Sequence, residues 1–91
     1  MKYKVKPSNK FKKDLKLMQK RGYDIEKIRF VINELAKGNT LPEKYNDHQL
    51  TGFYRDKREC HILPDWLLIY KIKNDELILY LIRTGSHSDL F

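Results

Sequence analysis

The sequence predicts an α+β fold: an N-terminal strand, a two-helix antiparallel hairpin, then a three-stranded antiparallel meander that the first strand can pair along to complete a small sheet. Three observations carry this. Apolar residues recur at helical spacing from Phe11 to Leu35. From Gly52 onward the pattern turns to alternation and short apolar runs, as in strands. Between these segments stand turn formers: Gly22, Gly38, Pro64-Asp65 and Lys73-Asn74-Asp75-Glu76. With 91 residues, 41% of them hydrophobic, the chain can build one small core, so residues 1–91 are read as one domain.

Taken in order, Tyr3-Lys4-Val5-Lys6 alternates apolar and basic and stops at Pro7, as a half-buried strand does. Ser8 suits the N-cap of a first helix, in which Phe11, Leu15 and Met18 share a face until Gly22 ends it. Asp24 suits the cap of a second, with Ile25, Ile28, Ile32 and Leu35 in one stripe, Val31 alongside and Gly38 as the stop. A link as short as Gly22-Tyr23 makes the helices antiparallel, each burying one apolar face.

Residues 39–51 have no clean period and contain Pro42, Asn46 and Asp47, so they read as a connecting loop. By position alone its histidine, His48, is surface filler. Tyr54, Cys60 and Ile62 then share one parity, with Glu59 and His61 on the other, in a strand ending at Leu63. Pro64-Asp65 is type I turn chemistry. The nearly continuous apolar run Leu67 to Ile72 is a central strand covered on both faces, and Leu77 to Ile82 returns beside it.

The single cysteine, Cys60, lies on the apolar parity of its strand, which makes it core and not nucleophile. One cysteine forms no intramolecular disulfide, which favours a reducing compartment. The N-terminus lacks the pattern of a secretory signal and no apolar stretch approaches a membrane span. These features predict a soluble cytoplasmic protein with no membrane partner.

Nineteen Lys+Arg against 12 Asp+Glu leave a formal net charge of +7, a field that draws polyanions by steering and counterion release. Nucleic acid is the first partner class to consider. One face of the first helix carries Lys10, Lys12, Lys13, Lys16 and Lys20, with Arg21 following. Such a face is either merely solvated or turned toward phosphates, and its single sign keeps both readings open.

Strand register turns scattered polar residues into a candidate site. A two-residue turn at Asn74-Asp75 would set Trp66 opposite or next to Arg83, and the Pro64-Asp65 turn brings His61 near Trp66. His61, Asp65, Trp66 and Arg83 would then meet at one sheet end, and the chain leaves that end through Thr84-Gly85-Ser86-His87. Histidines, a carboxylate and an arginine supply a general base, a general acid and a cation for a developing phosphorane. With RNA the 2′-hydroxyl attacks its own adjacent phosphate, which needs no metal, no cofactor and no enzyme nucleophile. Trp66 and Phe91 could stack or pack beside a nucleotide. The structural alternatives are a Trp66 that plugs the core and an Arg83 that pairs with Asp65. No His-x-x-x-His spacing, Gly-rich phosphate loop or Gly-x-Ser-x-Gly elbow occurs, so no metal site is expected.

Asp47-His48-Gln49-Leu50, His61-Ile62-Leu63-Pro64-Asp65-Trp66 with Leu68-Ile69-Tyr70, and Arg83-Thr84-Gly85-Ser86-His87-Ser88-Asp89-Leu90-Phe91 resemble the YafQ branch of the RelE superfamily of toxins. The resemblance spans the chain in length and element order, with specific motifs in residues 47–91 and only a pattern match before them. It implies an mRNA interferase, a ribosome-dependent endoribonuclease that enters the A site of the 70S ribosome, cleaves the bound mRNA and is neutralised by a cognate antitoxin. The toxin alone is expected to be a monomer. The family's functional positions carry over onto His48, His61, Asp65, Trp66, Arg83, His87 and Phe91, so the resemblance makes His48 catalytic. The implied roles are His87 as general acid, His48 or Asp65 with His61 on the base side, and Arg83 on the phosphate. Lys10, Lys12, Lys13, Lys16, Lys20 and Arg21 would contact ribosomal RNA. The alternatives are a non-catalytic basic RNA- or protein-binding module on the same fold, and the related gyrase-poisoning toxins, which are not expected to carry this histidine set.

Overall fold

A computed structural model describes all 91 residues. Strand β1 (Lys4–Pro7) leads into helices α1 (Asn9–Lys20) and α2 (Ile25–Ala36). A short strand β2 (His48–Gln49) follows, then β3 (Arg58–Leu63), β4 (Trp66–Lys73), β5 (Ile78–Gly85) and a final turn of helix, α3 (His87–Leu90). The strands form one sheet in the order β1-β5-β4-β3-β2, with β1 parallel to β5 and every other pairing antiparallel.

Both long helices begin on the predicted caps. Ser8 accepts from the Phe11 N–H at 3.0 Å, and Asp24 accepts from the Glu26 N–H at 3.0 Å. Gly22 and Gly38, at φ +88° and +84°, take the left-handed conformation that ends each helix, where a Cβ would be strained.

The sheet has two different faces. Phe11 and Met18 of α1 and Ile28, Val31 and Leu35 of α2 pack on Trp66, Leu68, Tyr70, Leu79 and Leu81 to form the main core. Burying each such side chain contributes about 1.5–3 kcal/mol. The opposite face carries a smaller cluster of Leu67, Ile69 and Leu90, edged by Leu50, Tyr54 and Ile82. On this second face the central strand is only partly roofed, and the polar residues of interest gather there.

Two features depart from the expected pattern. The segment 39–51, expected as a loop, contributes β2 as a fifth strand, in which His48 pairs with Glu59 and Gln49 with Arg58. Asp47 clamps it by accepting from the Tyr70 hydroxyl at 2.6 Å and Arg58 Nε at 3.3 Å. Burial together with that carboxylate pushes the Tyr70 hydroxyl far up, so it stays a donor to Asp47.

The register of β4 and β5 also differs. The connection spans Asn74 to Leu77, with Leu77 at φ +55°, so Lys73 pairs with Ile78. A bulge then falls between Ile69 and Tyr70, and Arg83 sits opposite Ile69 instead of Trp66. Continuing the regular register from the turn would have paired Arg83 with Leu68, on the face covered by the helices. The extra residue turns it to the other face, because side chains alternate along a strand.

Candidate active site

β2 and β3 set the first half of the site. His48, Glu59 and His61 all stand on the face shared with Leu67 and Ile69, as the pairs His48–Glu59, Glu59–Ile69 and His61–Leu67 require. His48 Nε2 lies 3.0 Å from Glu59 Oε2, and its Nδ1 lies 2.7 Å from the Asn46 carbonyl. A ring facing two acceptors is fully satisfied only when both nitrogens carry hydrogen. His61 differs: Nδ1 is 3.3 Å from the Pro64 carbonyl, whereas Nε2 is 3.9 Å from Glu59 Oε2, beyond hydrogen-bond reach. With Nδ1 as the donor, Nε2 keeps a free lone pair. The two rings lie 6.4 Å apart.

Glu59 is the residue that sequence reasoning missed. Its side chain is 6% exposed, and Oε1 has no hydrogen-bond partner. A buried acceptor without a protein partner costs about 1–3 kcal/mol, and such exceptions in native folds call for an explanation. The available signal was parity, since Glu59 shares a face with His61 and not with Cys60 or Ile62.

The second half comes from the β3–β4 turn and the C-terminal tail. Asp65 Oδ1 accepts from the His87 N–H at 3.3 Å. The His87 ring is exposed and sits 5.0 Å from that of Phe91. The tail turns back because Ser86 and Asp89 form a reciprocal capping box, Ser86 N–H donating to Asp89 Oδ2 at 2.8 Å and Asp89 N–H to Ser86 Oγ at 3.2 Å. Arg21 then donates to Asp89 at 2.7 Å. These donors hold the Asp89 carboxyl well below the usual range, so this anchor is present at neutral pH and is lost only in strong acid.

Gly85 makes the return of α3 possible. A Cβ there would stand 3.0 Å from Asp89 Cβ and 3.4 Å from Leu90 Cδ2. Gly85→Ala is therefore expected to push α3 off the sheet at a cost of about 1–3 kcal/mol. RNA cleavage should fall further than stability, because His87 moves with the helix. Denaturant melts and cleavage assays on the same preparation check this, and equal losses would contradict it.

Arg83 and Trp66 depart from expectation. Arg83 does not pair with Asp65 or meet Trp66. Its Nε and Nη2 are held at 2.6 and 3.1 Å by Asp14, the one acidic residue of α1, which also accepts from the Thr84 N–H at 3.2 Å. This carboxylate pushes the guanidinium above its ordinary value and leaves Nη1 free. Trp66, expected to contact substrate, is fully buried. It donates to Thr84 Oγ1 at 2.9 Å and meets the Tyr23 ring edge-to-face at 5.1 Å. Its even position on β4 places it among the helices, so the plug reading holds.

On α1, Lys10, Lys12, Lys13, Lys16 and Lys20 are exposed and without carboxylate partners, whereas Arg21 is committed to Asp89 and serves the tail, not an open phosphate-facing surface. Cys60 is buried, and desolvation pushes its thiol far up, which agrees with a core role. No three His, Cys, Asp or Glu side chains are disposed to hold a metal ion. No helix is long and apolar enough to cross a membrane.

Solved structures similar to this one include bacterial toxins. A metal-bound toxin from Helicobacter pylori superposes with a TM-score of 0.92 at 47% identity, covering 98% of this chain and 99% of that one. The toxin–antitoxin complex DinJ–YafQ of Escherichia coli gives 0.89 at 38% identity over 98% of each chain. Among curated proteins, the mRNA interferase toxin YafQ of Escherichia coli K12 is 40% identical over 88 residues, 96% of this chain and 94% of that protein. The family model for YafQ, a bacterial toxin of type II toxin-antitoxin systems, matches residues 3–91. The chain belongs to the YafQ family.

Proposed function

We propose that this protein is an mRNA interferase: an endoribonuclease that cuts messenger RNA in the ribosomal A site and is held inactive by a cognate antitoxin. One observation carries the reading. His48, Glu59 and His61 share a sheet face with Arg83, beside the turn that brings Asp65 to His87. This set suits RNA self-cleavage, in which the substrate supplies the nucleophile. His61 Nε2 takes the proton of a 2′-hydroxyl as its oxygen bonds to the adjacent phosphorus. His87 gives a proton to the departing 5′-oxygen as the P–O5′ bond breaks. The products are a 2′,3′-cyclic phosphate and a free 5′-hydroxyl. Arg83, steadied by Asp14, offers Nη1 to the phosphorane. Glu59 orients His48, whose ring is held between that carboxylate and the Asn46 carbonyl, beside the reacting phosphate. The supports are the free Nε2 of His61, the unpaired His87 ring and the family's curated relatives.

Ribosome complexes holding a defined messenger test this reading. Wild-type protein should cut at codons in the A site and leave 3′ ends that resist ligation until the cyclic phosphate is opened and the resulting phosphate removed. Intact messenger would overturn it.

The lysines of α1 are assigned to ribosomal RNA, with the sheet face turned toward the codon. Charge reversal at Lys12, Lys13 and Lys16 to Glu should weaken ribosome association and flatten its salt dependence. Each lost phosphate contact removes roughly 0.7–0.9 from the slope of log K against log salt. An unchanged slope would reduce that face to a solvated one.

A further inference from the structure

One side chain on the site face has no role in this scheme. Phe53, in a short 3₁₀ turn between β2 and β3, is 88% exposed, the most open of the large hydrophobic side chains. It is not isolated. Its ring meets Tyr54 at 5.1 Å and 84°, Tyr54 meets Phe91 at 5.8 Å and 84°, and Phe91 meets His87 at 5.0 Å. A chain of aromatic rings thus runs from the proposed acid to a bare phenyl ring at the edge of the sheet face.

Beside Phe53 and Tyr54 lies a cleft of about 370 Å³ whose lining includes Lys10, Lys57 and Arg83. That size falls at the lower end of the roughly 300–1,000 Å³ typical of small-ligand sites. The charge there is positive even after pairing. Asp56 serves both Lys57 and Lys71, Asp14 serves Arg83, and Lys10 has no carboxylate partner. A flat apolar ring beside excess positive charge fits a nucleotide, whose base stacks while its phosphate meets the cations. A protein partner would gain from the ring but would also have to satisfy the cations.

We infer that Phe53 is the outer platform of a second nucleotide subsite, stacking the base of a residue that flanks the cleaved phosphate, with Tyr54 and the Lys10–Lys57–Arg83 cleft behind it. The inference rests on the proposed reading that this face takes RNA. It assigns Phe53 to binding and not to chemistry, so its loss raises KM and leaves kcat in place.

A 2′-O-methyl oligoribonucleotide, which cannot be cleaved, tests the subsite separately from the reaction. Low-salt anisotropy titrations of wild type, Phe53→Ala and Phe53→Trp should show a Kd about 5- to 150-fold higher for the alanine variant, the range set by loss of one stacked base. Tryptophan should restore binding, and all three should melt alike. A 5-iodouridine in the oligonucleotide should photocrosslink to Phe53. An unchanged Kd for Phe53→Ala, no binding by wild type, or crosslinks only elsewhere would overturn the subsite. Loss of antitoxin binding with an unchanged RNA Kd would also overturn it and reassign the ring to a protein contact. Messenger cleavage on ribosomes is measured in parallel. Phe53-dependent binding without cleavage removes the endonuclease reading and leaves the subsite, whereas cleavage with a Phe53→Ala variant unchanged in KM and Kd removes the subsite alone.

Discussion

His87→Ala should lower messenger cleavage by about 10²- to 10⁴-fold, the usual contribution of a positioned general acid. The loss should fall on kcat, since the residue reaches the substrate through its ring. Its main-chain N–H to Asp65, and the Ser86–Asp89 box that shapes the turn, survive the substitution. The variant should therefore melt close to wild type and still bind antitoxin. A variant that cleaves at wild-type rate would take His87 out of the mechanism and leave the 5′-oxygen without an assigned proton source.

Trp66→Ala should destabilise the fold by about 3–5 kcal/mol, the range for emptying a large aromatic site in a core. It leaves Thr84 Oγ1 without its donor and opens space against Tyr23. That is a sizeable share of the 5–15 kcal/mol typical of a whole domain, so poor expression is part of the expected result. Trp66→Phe keeps most of the apolar volume and should fold, with cleavage per folded molecule close to wild type. Denaturant titration of both variants, with cleavage assayed on the folded fraction, separates the roles. A stable Trp66→Ala protein that has lost cleavage would return Trp66 to the substrate.

The two outcomes mark how far the residues could be read in advance. The helix pair was legible because its signals are local: Ser8 and Asp24 cap within one turn, and Gly22 and Gly38 stop the helices by backbone conformation alone. The β3–β4 turn was legible for the same reason, and it brought His61, Asp65 and His87 into one neighbourhood. The strand β2 was not, because two residues carry no period; Asp47, bound to Tyr70 and Arg58 far along the chain, holds it in place. Glu59 was visible only as a parity, and nothing nearby in sequence announces that His48 will lie 3.0 Å from it.

The sequence alone determined the fold class, the order of the two long helices and the four longer strands, and most of the side chains that meet at the candidate site. Tertiary structure decided which face each one occupies. A turn longer by two residues and a bulge of one moved Arg83 from the expected Trp66 to Ile69 and into the reach of Asp14, while Trp66 stayed among the helices. The physical reason is the period of two along a strand. Composition and spacing say that a residue lies in a strand, but its face depends on every residue counted through the turn and the bulge, and those are settled by packing.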